Sequence, residues 1–257
     1  MNSRKMLLKL SKQFPKRYAK MNHDRVGLMC GKLPEEVHKI FLCLDFDHEI
    51  LEEAKAFKPD LILTHHPFIY GTRAFILSHD TIKKALYDEI TKLGFAVYSM
   101  HTNFDTGIGG MNDALAAALE LSDVKVIEKD IMMRGGKLPH KMKAEDFAKY
   151  ACEKFNVDYS LLINGGKKEV ESVAIIGGGG SRRWNIAKDA GYDIFISGDA
   201  PHYVRRDVVL NSYNYLDMPH EIEKIFMPTM KKILLSLDDS LEIKMVDHEK
   251  LPQVIKA

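Results

Sequence analysis

The 257-residue sequence has little cysteine and no excess of charge of either sign. Its three cysteines, Cys30, Cys43 and Cys152, are odd in number and widely spaced, which matches neither a disulfide framework nor a paired-cysteine metal site. Lys and Arg total 37 against 36 Asp and Glu, so no bulk basic field attracts nucleic acid or an anionic membrane. No apolar run approaches the roughly 18 to 20 residues that a membrane span requires. We therefore expect a globular cytoplasmic protein without a membrane or nucleic-acid partner.

The first 23 residues contain many lysines and arginines but no acidic residue. Leu7, Leu8, Leu10 and Phe14 give them an amphipathic helical pattern, which fits either an organelle-targeting segment or an ordinary N-terminal helix packed on the fold. The lysine-rich composition and the break at Pro15 favour the ordinary helix.

Short β-rich runs alternate with amphipathic helical stretches from about residue 40 onward. The predicted strands are residues 40–44, 61–64, 95–100, 159–163, 172–176, 193–197 and 213–216. The predicted helices are residues 49–56, 81–93, 112–121, 144–155, 183–190 and about 220–235. This order implies an α/β fold with mainly parallel or mixed sheets.

The alternating pattern restarts after about residue 125, which predicts two α/β lobes. We place the first lobe at residues 1–126 and the second at residues 127–257. The final helix is grouped with the second lobe, although its position in the sequence allows it to pack on either.

Two adjacent histidines, His65 and His66, follow the apolar run 61–64 and precede Pro67. The proline ends the strand, so both imidazoles lie at its carboxyl end, where α/β sheets bind ligands. Neutral imidazoles are common metal ligands. A structural turn is the alternative interpretation of this pair.

Two further motifs place histidines and carboxylates where they can join the pair. His101 follows the predicted strand 95–100, and Asp105 lies four residues later. His220 and Glu223 are three residues apart at the start of the last predicted helix, so they share a face. Taken alone, the first motif fits an Asx-type turn and the second a solvated helix pair. Together the motifs supply enough nitrogen and oxygen ligands for a dinuclear site.

A run of four glycines, residues 177–180, follows the predicted strand 172–176. It fits either a phosphate-binding loop, helped by Arg182 and Arg183, or a tight turn with Ser181 as the helix N-cap. A polar corner at residues 197–202, which includes Asp199, is expected to contact the site or a substrate.

These motifs resemble, in order and rough spacing, the GTP cyclohydrolase I type 2 homologue family, also called the NGG-interacting-factor-like family. The resemblance rests on HHP, HTNFDTGIGGMNDALA, GGGGS, FISGDAPH and DMPHEIEK, with DRVGLMCG and FLCLDFDHEILEEA near the N-terminus. It implies a two-lobed α/β protein that forms a homohexamer, with two divalent metal ions in a cleft between the lobes. It further implies five metal ligands and one nearby catalytic residue that is not a ligand. The implied ligands are His65, His66, Asp105, His220 and Glu223, and the implied catalytic residue is His101.

The chain departs from the family pattern at two places. The family often has Trp-Asp ahead of its N-terminal Gly-Leu, whereas residues 22–28 of this chain read Asn-His-Asp-Arg-Val-Gly-Leu. Many members have the last glutamate four residues after the histidine, where this chain has Lys224. Glu223 is then the best candidate for that ligand and Glu221 the weaker one.

The family name implies opening of the GTP imidazole ring by metal-activated water, with a histidine such as His101 moving protons. We therefore expect a metal-dependent hydrolase of a nucleotide-like or other small phosphorylated substrate. The alternative is a regulatory or delivery protein that holds metal without turnover. The mixed histidine and carboxylate set suits Zn, Mn, Fe, Co or Ni.

Overall fold

The computed structural model describes residues 1–255 and divides the chain into two compact units. The first unit is Met1–Gly110 with Phe226–Glu249, and the second is Met111–Ile225 with the residues from Lys250 onward. The division falls earlier than the predicted boundary near residue 126, and the final helix belongs to the first unit rather than the second. None of the helices in residues 1–255 is long and apolar enough to span a bilayer.

The first unit begins with a helical pair and continues as strands and helices in alternation. In chain order its elements are α1 (Ser3–Gln13), α2 (Lys16–Met21), β1 (Gly27–Cys30), β2 (Lys39–Cys43), α3 (Leu51–Phe57), β3 (Leu61–Thr64), α4 (Arg73–His79), α5 (Thr81–Leu93), β4 (Val97–Ser99) and α6 (Thr102–Thr106).

The second unit contains the long antiparallel part of the chain. Its elements are α7 (Met111–Ala118), β5 (Ser122–Ile127), β6 (Asp130–Lys143), α8 (Ala144–Phe155), β7 (Leu161–Asn164), β8 (Glu169–Ile175), a 3₁₀ turn (Ser181–Arg183), α9 (Trp184–Asp189), β9 (Ile194–Ser197), α10 (His202–Leu210), β10 (Asn214–Asp217) and a second 3₁₀ segment (His220–Ile225).

The chain then returns to the first unit through α11 (Phe226–Leu237) and β11 (Glu242–Met245). The predicted helix 220–235 is thus two segments, a 3₁₀ segment followed by α11. α11 packs against β2 and β11, and this packing assigns the C-terminal helix to the first unit.

The first sheet has the order β1-β4-β3-β2-β11 and is parallel except at β1, which pairs antiparallel with β4. Its central strand β3 is buried at every position, as its uninterrupted apolar sequence requires in a sheet covered on both faces. Because β2, β3 and β4 run parallel, their carboxyl ends lie at one edge of this sheet.

The second sheet has the order β5-β6-β8-β9-β10-β7 and is mixed. β8, β9 and β10 are parallel neighbours, whereas the remaining pairs are antiparallel. Among the described residues, β5 pairs only with β6, and this hairpin begins the second sheet before residue 126. The fold is therefore α/β with two mixed sheets.

Candidate metal centre

His65 lies immediately after β3 and is fully buried. Its Nδ1 is 2.9 Å from the main-chain oxygen of Met100, the residue that follows the neighbouring strand β4. A carbonyl oxygen can only accept a hydrogen bond, so a proton on Nδ1 satisfies this contact and leaves the lone pair of the neutral ring on Nε2. The local backbone therefore sets the orientation and tautomer suited to a metal ligand.

His66 is held in the same way by a side chain from the adjacent strand. Its Nδ1 is 2.7 Å from Oδ2 of Asp45, which follows β2. Its ring centre lies 4.9 Å from that of His65. Parallel strands β2 and β3 thus bring the carboxylate and the histidine to the same sheet edge.

His101 follows β4 and is anchored by Asp24. Its Nδ1 is 2.8 Å from Asp24 Oδ2, and that oxygen also accepts hydrogen bonds from the main-chain N–H and hydroxyl of Thr102 at 3.2 and 2.7 Å. Burial works to raise the pKa of Asp24, but the hydrogen bonds and the charge of His101 prevail and lower it. The hydroxyl of Tyr70 also lies 3.1 Å from Nδ1 and 3.4 Å from Nε2 of His101.

The three histidines of the first unit converge. The ring of His101 lies 5.0 Å from that of His65 and 5.4 Å from that of His66, centre to centre. One ring nitrogen from each lies within 4.8 Å of the other two, a spacing compatible with a shared metal ion. Imidazole nitrogens suit divalent transition-metal ions of intermediate softness.

Asp105 adds a carboxylate to this group. It lies in α6, and its Oδ1 is 3.4 Å from Nε2 of His65. The His-Thr-Asn-Phe-Asp motif thus begins a short helix rather than forming the Asx-type turn, and it brings the predicted acidic partner to His65.

The second unit places His220 and Glu223 side by side. They lie in the 3₁₀ segment His220–Ile225, and Nε2 of His220 is 3.1 Å from Oε2 of Glu223. A 3₁₀ helix has three residues per turn, so positions three apart align along its axis. Glu223 is 3% exposed, whereas Glu221 faces a neighbouring pocket. Glu223, not Glu221, is the glutamate beside the histidine.

Asp199 orients His220 from the other side. Its Oδ2 is 2.7 Å from Nδ1 of His220, which repeats the arrangement of His66 with Asp45. Burial lowers the pKa of His220, but the hydrogen bonds and charges of Glu223 and Asp199 outweigh it and raise the pKa to about 9. The predicted polar corner thus contacts a predicted site residue.

The four-glycine run lies against the same pair. Gly178 has φ of +58°, and a Cβ there would come within 2.4 Å of Glu223 Oε1 and 3.0 Å of His220 Nε2. The prediction of Ser181 as an N-cap is wrong, because Gly180 occupies that position and no side chain caps the turn. Arg183 pairs with Asp130 at 2.9 Å. The loop therefore provides close backbone approach to His220 and Glu223.

An open pocket of about 360 Å³ adjoins His220 within the second unit. Among its lining residues are Tyr159, Asp199, Arg205, Asp217 and Glu221. Burial raises the pKa of Asp217, and the nearby charge of Asp199 adds to this. The pocket therefore combines hydrogen-bond acceptors, a guanidinium group and an aromatic ring beside a candidate metal ligand.

Sequence reasoning missed Asp24 and Asp45, the two carboxylates that anchor His101 and His66. Each had a signal in the sequence. Asp24 is the first acidic residue of the chain, and Asp45 follows a predicted strand of the same parallel sheet as His65. Outer carboxylates that orient metal-binding histidines are common, but the sequence motifs pointed only to the ligands themselves.

Known proteins resemble this chain over nearly its whole length. The sequence profile of Duf34/NIF3 (NGG1p interacting factor 3) matches residues 1–252. A "GTP cyclohydrolase 1 type 2 homolog" of Lactococcus lactis is 30% identical over 246 residues, covering 92% of this chain and 93% of the relative. A protein of the same name from Clostridium perfringens is 27% identical, covering 91% and 92% of the two chains.

The fold is similar to that of a solved structure. The Bacillus cereus protein related to NIF3 superposes with a TM-score of 0.88 at 20% identity, covering 100% of this chain and 99% of the other. The extent of the profile match and the identity to the Lactococcus relative lead to one conclusion. The chain belongs to the Duf34/NIF3 family.

Proposed function

We propose that the protein is a metal-dependent hydrolase with a dinuclear centre. The proposed ligands are His65, His66 and Asp105 of the first unit and His220 and Glu223 of the second. Two divalent ions per chain are proposed, drawn from Zn, Mn, Fe, Co and Ni, because these ions accept mixed imidazole and carboxylate ligands. The proposal is supported by the donor sets within each unit and by the family resemblance.

One observation carries the proposal: four histidines share a single anchoring pattern. Nδ1 of His65, His66, His101 and His220 lies 2.7 to 2.9 Å from a carbonyl or carboxylate oxygen. A proton on Nδ1 leaves Nε2 as the donor atom, and such outer oxygens raise the basicity of a ligating imidazole. Exposed His79 also has its Nδ1 2.9 Å from a carbonyl oxygen, that of Phe75, so the anchoring supports the proposal together with the convergence of the candidate ligands within each unit.

On the family resemblance, we assign His101 to proton transfer and not to metal binding, although its ring nitrogen lies within 4.8 Å of those of His65 and His66. Asp24 holds its Nδ1, so the ring presents Nε2 beside His65 and His66. A positioned histidine can accept and donate a proton near neutral pH. When bound, the divalent ions would supply Lewis acidity and lower the pKa of water.

The proposed substrate is a nucleotide-like or other small phosphorylated molecule. The names of the relatives favour a purine nucleotide, and the pocket beside His220 offers Arg205 for an anionic group and Tyr159 for a ring. This pocket also favours a catalyst over the alternative of a metal carrier, because a carrier has no need of a substrate cavity. On the resemblance alone, we propose a homohexamer.

A turnover assay on the metal-loaded full chain tests the proposal. A panel of nucleoside mono-, di- and triphosphates would be incubated with wild type, His65→Ala, His101→Ala and the matched control His38→Ala, whose side chain is exposed. Chromatography would follow loss of each nucleotide, and elemental analysis would follow metal content.

We expect His65→Ala to lose both metal and turnover, His101→Ala to lose turnover while keeping metal, and His38→Ala to keep both. Wild-type protein that holds metal but converts no nucleotide would favour the carrier. Turnover that survives in His65→Ala would contradict the proposed centre.

A further inference from the structure

The first two helices form a strongly positive surface on a chain that is almost neutral overall. We call it the basic surface and define it by its seven cations, Arg4, Lys5, Lys9, Lys12, Lys16, Arg17 and Lys20. Residues 1–23 contain no acidic residue, so the other 234 residues have 30 cations and 36 acids, a net charge of −6. The whole-chain sum of +1 therefore conceals a local concentration of positive charge.

Packing of the two helices fixes these cations on the outer side. Met6, Leu10 and Phe14 turn inward and are almost fully buried. The Phe14 ring lies 4.9 Å from that of Phe104, and the Phe14 carbonyl oxygen accepts a hydrogen bond from Asn103 at 3.0 Å. All seven cations are exposed. The surface is thus a folded array of charge and not a loose tail.

The acidic side chains nearest the start of α1, Glu36 and Asp238, pair with the amino group of Met1 at 3.3 and 3.5 Å and not with the basic surface. Across residues 1–255, none of the seven cations forms an ion pair with an acidic side chain. Lys16 lies 5.3 Å from the centre of the Tyr98 ring and Arg17 5.3 Å from that of Tyr18, which leaves both positive charges uncompensated. A partner with regularly spaced negative charge would complement the surface.

We infer that the basic surface binds the phosphate backbone of double-stranded DNA without reading its sequence. Duplex DNA carries one negative charge per roughly 1.7 Å of its axis. At about 1.5 Å rise per residue, the cations from Arg4 to Lys12 span roughly 12 Å, close to the width of the DNA major groove. The major groove of an RNA duplex is too narrow for a helix.

The composition of the surface disfavours two other polyanions. Single-stranded nucleic acid is bound largely by stacking on aromatic side chains, and no aromatic residue is exposed within residues 1–23. Insertion into a membrane needs an apolar helix face at the lipid, whereas the apolar face of α1 is buried and only Leu8 and Met21 are exposed apolar residues there. The earlier expectation of no nucleic-acid partner rested on the summed charge alone.

A binding titration tests this inference independently of any enzymatic activity. Fluorescence anisotropy would follow a labelled 20-base-pair DNA duplex of arbitrary sequence at several KCl concentrations from about 30 to 200 mM. The test variant is K9Q/K12Q/K20Q. Its matched control is K92Q/K129Q/K168Q, which removes the same charge from three exposed lysines elsewhere. RNA duplex of the same length and phosphatidylserine vesicles serve as competing probes.

We expect wild-type affinity to fall with salt at a log–log slope of about −4 to −6, as engagement of most of the seven cations requires. The test variant should bind more than about tenfold more weakly, with a slope reduced by about 3, and the control should match wild type. A second variant, R4Q/K5Q/R17Q, should behave like the first, which guards against a folding defect in either.

Three results would overturn the inference. They are the absence of duplex binding at 30 mM KCl, equal weakening in the control variant, and tighter binding of RNA duplex or vesicles than of DNA.

Discussion

His101 donates a hydrogen bond from Nδ1 to Asp24 Oδ2 across 2.8 Å, which links the segment before β1 to the end of β4. The same carboxylate oxygen accepts two hydrogen bonds from Thr102. One acidic side chain thus fixes both the ring that we assign to proton transfer and the first turn of α6, the helix that contains Asp105.

Replacing Asp24 by Asn should lower stability in a pH-dependent manner. The pKa of Asp24 is lowered in the folded state, so its contribution is present above the ordinary value of 3.8 and is lost as pH falls through the folded-state pKa. We expect Asp24→Asn to lower the free energy of unfolding by about 1 to 3 kcal/mol at pH 6, with the difference shrinking toward pH 3. Urea unfolding at pH 3, 4, 5 and 6 measures this.

The control for that series is Asp88→Asn, which removes an exposed i,i+4 pair with Lys84. It should change stability by less than about 0.5 kcal/mol at every pH. A pH-independent loss in Asp24→Asn would show that the hydrogen-bond network acts without the charge we assign to it.

Replacing Asp45 by Ala should weaken metal binding while leaving all five proposed ligands in place. Asp45 holds Nδ1 of His66, and loss of such an outer partner typically costs about 10- to 100-fold in metal affinity. The measurement is a Zn²⁺ or Mn²⁺ titration against a competing chelator. Asp47→Ala is the control, because Asp47 contacts His248 instead. Equal affinities for the two variants would refute the anchoring role of Asp45.

Replacing Gly178 by Ala should disturb the His220–Glu223 pair. The new Cβ would lie 2.4 Å from Glu223 Oε1 in a backbone that already has φ of +58°. Gly191 also has positive φ, +87°, but has nothing within 4 Å of an added Cβ. We expect Gly191→Ala to cost about 1 kcal/mol from the backbone alone and Gly178→Ala to cost more. Chemical denaturation of both variants measures the difference, and equal losses would contradict the proposed close approach.

Replacing Asp113 by Ala should destabilise the second unit strongly. Arg134 is fully buried, and its Nε donates to Asp113 Oδ1 at 2.6 Å. Loss of the carboxylate leaves a buried cation without its anionic partner, which lowers the free energy of unfolding by about 3 to 5 kcal/mol. Asp123→Ala removes an exposed partner of Lys137 and should cost less than about 1 kcal/mol. Thermal unfolding compares the two variants. Similar melting temperatures would contradict the stabilising role that we assign to the pair of Asp113 and Arg134.

The spacing of apolar residues alone predicted the parallel part of the fold well. Buried parallel strands appear in the sequence as apolar runs, and the amphipathic helices have clear ends. The predicted helices 81–93 and 144–155 match α5 and α8 residue for residue, and the strand 61–64 matches β3. The sequence did not predict four of the strands, β1, β5, β6 and β11. β5 is exposed at five of its six positions, so its burial pattern has no alternation to detect.

The positions of the site residues were only partly predictable. Strand ends brought His65, His66 and His101 to one edge of the first sheet, and this followed from parallel topology. The role of Gly178 was not predictable, because it depends on how a loop after β8 meets a 3₁₀ segment more than forty residues later. The preference for Glu223 over Glu221 was predicted from the three-residue spacing to His220, and the 3₁₀ segment brings these two side chains together.

The central claim is that the five proposed ligands bind two divalent metal ions, and equilibrium metal loading tests it most directly. Wild type, His66→Ala, Glu223→Gln and the control His38→Ala would be stripped of metal, dialysed against Zn²⁺ or Mn²⁺ and measured by elemental analysis. We predict about two ions per chain for wild type and His38→Ala, and at most one for His66→Ala and for Glu223→Gln. Wild-type protein that takes up no metal, or ligand variants that retain two ions per chain, would contradict the account.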